Sequence, residues 1–189
     1  KVGHAGTLDP MATGLLILCS GRMTKNIDRY QALVKMYEGT MQLGGVTPSY
    51  DAETPVEDER SVSGITAEAV WEAAARFTGD IEQLPPMYSA VKIDGRRLYE
   101  LARKGEQVER KARQVVIHQL TLLHHGGDVL ELDVRCSKGT YIRTLVEDIG
   151  EALGCGAHVR VLRRVGVAPY DNPQMVTLEA LEAAAEQGV

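Results

Sequence analysis

The chain has 189 residues, 44% of them hydrophobic and 25% charged, with a formal net charge of −5. That length suits one domain or at most two small ones, and the balance is that of a soluble globular protein, which excludes a disordered tail, a collagen-like fibre and a membrane protein. The longest aliphatic run, Leu15 to Leu18, falls far short of the ~20 residues of a spanning helix, and Cys19, Cys136 and Cys155 lie apart without a CxxC pair, pointing to reduced thiols in a cytosol-like compartment. The chain starts at Lys1 without an apolar signal-peptide core and reads as a piece of a longer protein.

In chain order, the apolar residues 15–19 predict a buried strand closed by Ser20-Gly21. Residues 22–33 suit a short helix. Lys35 to Leu43 alternates loosely and stops at Gly44-Gly45, a strand. Residues 47–60 carry Pro48, Pro55 and five acids, which predicts an exposed loop. Thr66 caps a helix through Phe77, with an apolar stripe of Ile65, Ala69, Val70 and Ala73, and Gly79 stops it. Pro85-Pro86 forces an extended lead into a strand at 87–93, and Asp94-Gly95 reads as a tight hairpin turn. Residues 114–123 and 129–136 are strands joined near Gly126-Gly127. In the second, Leu130, Leu132, Val134 and Cys136 take one face and Glu131, Asp133 and Arg135 the other. A helix from Thr140 to Leu153 carries Ile142, Leu145, Val146, Ile149 and Leu153 on one stripe, with Gly154 just past its end. Val159 to Val167 is a strand and 177–187 a final helix. Hairpins mixed with helices, without βαβ alternation, predict an α+β fold.

Charge is distributed unevenly. Residues 51–91 carry a net −7, whereas 92–113 carry +4 and 135–164 carry +3. If folding joins the two basic blocks, a positive face can coexist with an acidic remainder. Ordinary solvated faces are the plain alternative.

Two segments can carry chemistry. In Gly3-His4-Ala5-Gly6-Thr7-Leu8-Asp9-Pro10, the glycines let backbone approach a ligand, and Pro10 keeps Asp9 on a stiff, non-helical backbone. One carboxylate on a rigid loop suits a nucleophile or general base; an Asp that only caps the turn is the alternative. In Cys136-Ser137-Lys138-Gly139-Thr140-Tyr141-Ile142-Arg143, a loop joins strand to helix. It lacks the GxxxxGK[ST] pattern of nucleotide hydrolysis. Arg143 falls in the first helical turn, where a cation opposes the helix dipole, which makes sense if it pairs with a carboxylate or phosphate. A solvated Arg is the alternative.

The first motif resembles the catalytic motif of the bacterial TruB family, tRNA pseudouridine synthases that modify the T-loop. Lys35-Met36-Tyr37-Glu38-Gly39 is similar to its tyrosine strand. Pro86 to Lys92 and Gly95 to Glu100 are similar to its next block. Cys136 to Arg143, and Gly154 to His158 with Leu162-Arg163-Arg164, resemble the last two. The five blocks run in family order.

The resemblance implies the pseudouridine synthase fold, a mixed and mainly antiparallel sheet flanked by helices. It implies isomerisation of uridine to pseudouridine at position 55 of tRNA, without cofactor or metal, by a cytoplasmic monomer that needs no protein partner. It puts the nucleophilic carboxylate on Asp9, the active-site tyrosine on Tyr37, the carboxylate-pairing arginine on Arg143 and the base-flipping histidine on His4. Tyr141 and Leu162 line the uridine pocket. It also implies that residues 1–189 are a catalytic domain truncated at its N-terminus and lacking the family's small C-terminal RNA-binding domain. Flipping the base costs a few kcal/mol. Phosphate contacts are expected from Lys92, Arg96, Arg97, Lys104, Lys138, Arg163 and Arg164 in the basic blocks. Tyr88 and Tyr99 read as core or edge aromatics. A module that binds or remodels structured RNA without chemistry is the alternative; the set Asp9, Tyr37 and Arg143 argues for the enzyme, because phosphate binding has no use for an Asp.

Overall fold

The computed structural model describes residues 1–124, 127–170 and 175–187. In chain order the elements are β1 (Val2–His4), β2 (Thr13–Gly14), β3 (Leu18–Ser20), a 3-10 helix (Gly21–Asn26), α1 (Ile27–Gln31), β4 (Lys35–Leu43), β5 (Gly45–Val46), β6 (Asp58–Glu59), α2 (Ala67–Arg76), β7 (Gly79–Gln83), β8 (Lys92–Ile93), β9 (Arg96–Arg97), α3 (Leu98–Ala102), β10 (Arg113–His124), β11 (Val129–Cys136), α4 (Ile142–Ala152), β12 (Ala157–Val167) and α5 (Leu178–Glu186). Six of the strands form one sheet in the order β2-β12-β4-β11-β10-β7. All its neighbours are antiparallel except β2 and β12. Strands and helices that do not alternate make the fold α+β, as expected.

The sheet is amphipathic because its strands alternate. In β11, Leu130, Leu132, Val134 and Cys136 are buried and the residues between them are not. Helix α4 buries Ile142, Leu145, Val146 and Ile149 against the sheet, together with Met41, Leu43, Ile117 and Val159 from the strands. Each such side chain contributes about 1.5–3 kcal/mol when fully buried. Helix α2 adds Val70 and Ala73 to the same core. Its Thr66 cap accepts a hydrogen bond from the Ala69 N–H at 3.2 Å. Gly154 ends α4 with φ 76°, a conformation that disfavours other residues.

Several expectations change. Residues 15–19 are not a buried strand. Only 18–20 are strand, paired with β1 in a two-stranded sheet, and of the run only Cys19 is buried. Leu18 is 53% exposed, because no described element covers that outer face. The predicted helix at 22–33 divides into a 3-10 turn and α1. Residues 47–60 are not simply an exposed loop: Thr47, Ser49 and Asp51 are buried, and β6 pairs with β5. Within 87–93 only Lys92 and Ile93 form strand, while β7 and α3 had no counterpart in the sequence reading. Asp94 and Gly95 both have positive φ, as a tight hairpin turn between β8 and β9 requires. The join of β10 to β11 passes through Gly126, outside the described residues. The last helix has no buried side chain.

Candidate active site

Asp9 is placed by a loop anchored at several points. The Ala5 N–H donates to Ile17 O at 2.9 Å, and the Ala12 N–H donates to Asp9 O at 2.9 Å. Gly6 turns the loop with φ 105°, which strains any other residue. Farther on, a Cβ at Gly14 would meet the carbonyl oxygen of Arg164 at 2.2 Å, so β2 reaches β12 only as glycine. The loop's inner side rests on Arg164, which donates through Nη1 to Thr7 O at 3.1 Å and through Nε to Leu15 O at 2.7 Å.

Across a sequence gap of 134 residues, Arg143 meets Asp9 with two parallel hydrogen bonds. Nε donates to Oδ2 at 2.8 Å and Nη2 to Oδ1 at 2.7 Å. A bidentate pair fixes the carboxylate's plane as well as its position. Arg143 is 4% exposed and the Asp9 side chain 31%, so the arginine is enclosed and the carboxylate faces outward. Two backbone carbonyls hold it as well: Nη1 donates to Ser49 O at 3.0 Å and Nη2 to Tyr88 O at 2.8 Å. Thus the cation expected to oppose the helix dipole is held by acceptors from three other segments.

A second carboxylate was missed by the sequence reading. Asp51, 0% exposed, lies 3.6 Å from Arg143 Nε. Its Oδ1 accepts from Ser49 Oγ at 2.5 Å and from the Glu53 N–H at 3.0 Å, while Oδ2 has no hydrogen-bond partner. The preceding residue, Tyr50, has φ 62°, a strained value for an aromatic side chain, and Val159 N–H donates to Tyr50 O at 3.0 Å. That link to β12 holds the bend that turns Asp51 inward.

The Asp9 carboxylate opens into a cavity of about 610 Å³, within the range of small-molecule sites. His4, Tyr37, Lys138, Tyr141, Leu162 and Arg164 are among its lining residues. Tyr37 sits on β4 between Val134 of β11 and Arg164 of β12. Burial raises its phenol pKa, against a smaller lowering by the Arg164 charge, so it is a neutral hydroxyl at pH 7. His4 is exposed, and its Nδ1 donates to Gly6 O at 2.9 Å, leaving Nε2 free of that bond. Leu162 is 3% exposed and supplies an apolar wall.

The candidate phosphate contacts do not behave as one set. Lys92, Arg96, Arg97 and Lys104 are exposed on or beside the β8–β9 hairpin and do not line the cavity. Arg96 is already engaged with Glu106 at 3.1 and 3.3 Å, and Arg97 donates to Tyr99 Oη at 2.9 Å. Tyr99 lies under the guanidinium groups of Arg97 and Arg103. Arg163 is exposed. Arg164 is 2% exposed and faces inward. Its neighbour in the strand points the other way, so one of the pair serves the loop and the other the surface.

A family model described as the N-terminal domain of TruB family pseudouridylate synthase matches residues 1–142. The chain belongs to the TruB family. A second model, the tRNA pseudouridylate synthase B C-terminal domain, matches residues 143–188. Among TruB relatives, tRNA pseudouridine synthase B of Marinomonas sp. (strain MWYL1) is 52% identical over 188 residues, covering 100% of this chain and 61% of the relative. The protein of the same name from Burkholderia mallei (strain NCTC 10247) is 54% identical over 186 residues, covering 98% and 61%. The chain therefore spans 61% of the length of these curated relatives. A chain from the crystal structure of a Cbf5-Nop10-Gar1 complex superposes with a TM-score of 0.72 at 27% identity, covering 100% of this chain and 48% of its own. One from the structure of an H/ACA RNP bound to a substrate RNA containing 2'-deoxyuridine, at 24% identity and TM-score 0.69, shares the fold. The two TruB models meet at the first turn of α4, and β12 from the second lies between β2 and β4 from the first. Both matched stretches build one sheet.

Proposed function

We propose that this chain is the catalytic domain of a tRNA pseudouridine synthase, converting a uridine of the T-loop, position 55, to pseudouridine. The observation that carries the reading is the bidentate contact of enclosed Arg143 with outward-facing Asp9 at the cavity of His4, Tyr37, Tyr141 and Leu162. The names of the relatives agree with it.

The reaction breaks the bond from C1′ to N1 of uracil and forms one from C1′ to C5. The C5 hydrogen leaves as a proton and N1 ends protonated, so the change is an isomerisation and consumes no oxidant or cofactor. Asp9 supplies the negative oxygen, as nucleophile or as the charge opposite a cationic sugar carbon. Arg143 aims it. Tyr37, neutral and facing the cavity, offers a stacking surface and a hydroxyl for proton movement. Leu162 walls the base, and His4 fills the space the flipped nucleotide leaves. Tyr37, Tyr141 and Leu162 therefore act on the base, and Lys138 and Arg163 on the backbone near it. The chain is read as acting in the cytoplasm, as a monomer on the T-stem-loop, without a protein partner. No described helix is long and apolar enough to cross a membrane.

The test uses a T-stem-loop transcript carrying tritium at uridine C5. Release of tritium to water with formation of pseudouridine is the expected result. Tight binding without release would leave an RNA-binding module.

A further inference from the structure

Strand β7 ends at Gln83, which is 1% exposed and does not line the cavity. Both halves of its side-chain amide are spent on one residue. The Tyr141 N–H donates to Gln83 Oε1 at 2.9 Å, and Gln83 Nε2 donates to Tyr141 O at 3.2 Å. A side-chain amide presents a donor and an acceptor side by side and so answers both backbone groups at once. Tyr141 is the N-cap of α4, and no side chain caps that end from within its own segment. The sheet supplies the fixed point instead.

The residue directly opposite Gln83 in the β7–β10 ladder is Arg113. Its guanidinium carbon lies 5.7 Å from the centroid of the Tyr141 ring, within cation–π range. Arg113 lines the Asp9 cavity beside Tyr141. One rung of the sheet thus holds the backbone of Tyr141 with one side chain and covers its ring with the other. Arg143 follows two residues later.

We propose that the cross-strand pair Gln83–Arg113 is a clamp that positions Tyr141 and the start of α4 for the reaction. Its consequence for turnover rests on the pseudouridine synthase reading; the hold itself does not. Gln83 is a positioning residue, since it reaches the cavity only through Tyr141. Arg113 acts on the ring directly.

The chain is compared with its Gln83→Met and Arg113→Gln variants by amide hydrogen exchange, and by kcat and KM on the T-stem-loop transcript. Met matches the volume of Gln and removes both partners of the Tyr141 backbone. Gln83→Met is expected to speed exchange at residues 141–145 about tenfold or more while β11 keeps its protection. It should lower kcat about tenfold, with KM within a few fold, since a misplaced site group loses rate before affinity. Arg113→Gln should leave exchange unchanged and lower kcat several-fold, without altering the salt dependence of RNA binding. Unchanged exchange at 141–145, or exchange that rises equally in β11, overturns the clamp. So does full turnover in Gln83→Met. If Gln83→Met does not fold, Arg113→Gln decides: a log–log salt slope altered by about 1 makes it a phosphate contact and overturns the ring arm. Should the unmodified chain form no pseudouridine, the proposed function fails, and the exchange comparison still decides the hold.

Discussion

The carboxylate of Asp51 lies 3.6 Å from the same Nε of Arg143 that donates to Asp9 at 2.8 Å. Two carboxylates therefore share one enclosed guanidinium, and only Asp9 faces the cavity. Asp51 balances charge from the buried side. With Ser49, whose carbonyl accepts from Arg143 and whose hydroxyl donates to Asp51, it forms the back wall of the site.

Asp51→Asn tests that role. The amide keeps an acceptor for Ser49 Oγ and the Glu53 N–H but loses the charge. Removing one partner of a buried pair costs roughly 3–5 kcal/mol when nothing else compensates; Arg143 keeps Asp9, so a smaller loss of stability is expected. Turnover should fall at least about tenfold while RNA affinity stays within a few fold, since Asp51 does not line the cavity. Thermal unfolding, single-turnover rate and a binding titration check it. Full turnover in the variant would show that Asp9 alone suffices to orient Arg143.

How much of this was legible can be judged from these residues. Asp9 and Arg143 stood in motifs whose local physics was odd enough to notice: an Asp stiffened by Pro10, and a cation in a first helical turn. Asp51 was hidden by composition, because the prolines and acids of 47–60 suggested solvent. Yet a signal was present. Met41, Leu43, Gly45, Thr47, Ser49 and Asp51 are all buried and each residue between them is less so. The period of two established in β4 runs on through the apparent glycine break, and following it would have turned Asp51 inward. Strand β7 was not legible in the same way. It is short, and its outer residues Asp80 and Glu82 gave no apolar run to read. Gln83 announces itself only through its contact with Tyr141, 58 residues away.

Arg164 could also have been placed from the sequence. It stands two residues after Leu162 on one strand and so shares its face, whereas Arg163 takes the other. The pair gives a sharp comparison. Arg163→Gln is expected to weaken RNA binding and change the log–log salt slope by roughly 1, with kcat nearly unchanged. Arg164→Gln should leave the slope alone, because its guanidinium is buried against the Asp9 loop, with Nη1 on Thr7 O and Nε on Leu15 O. Losing those charge-assisted bonds, worth ~1.5–3 kcal/mol each, loosens the Asp9 loop and lowers turnover. Salt titrations of both variants beside single-turnover rates check this; equal slope changes would place Arg164 at the RNA.

A pH effect follows from α4. Burial, reinforced by the neighbouring Asp148 and Glu151 charges, raises Glu147 from 4.5 to about 7, and burial raises Asp148 from 3.8 to about 6. Between pH 4.5 and 7 the folded state holds protons that the unfolded chain has released. Its stability therefore falls as pH rises through that window. Glu147→Gln removes the part of this loss that Glu147 causes and leaves that of Asp148. The variant should unfold at nearly the wild-type temperature at pH 4.5. By pH 8 it should gain roughly 2–4 °C, the shift expected for about 1 kcal/mol at a partly screened site. Melting curves across that range check it, and an advantage that shrinks with pH would contradict the assignment.

Asp9→Asn separates chemistry from binding. Asn is nearly isosteric, and its carbonyl can still accept from one of the Arg143 donors, so the loop between Gly6 and Pro10 should keep its shape. The anchors from Ala5, Ala12 and Arg164 do not involve the Asp9 side chain at all. What disappears is the negative oxygen on the cavity side, which the reaction needs at C1′ or at the base. Pseudouridine formation should be lost, while RNA affinity stays within a few fold or tightens slightly as one anion leaves the vicinity of the phosphates. Circular dichroism first establishes that the variant is folded. Single-turnover formation and a binding titration at one salt concentration then give the answer. A folded Asp9→Asn variant that keeps wild-type turnover would remove Asp9 from the reaction and reduce its contact with Arg143 to a strut between loop and helix.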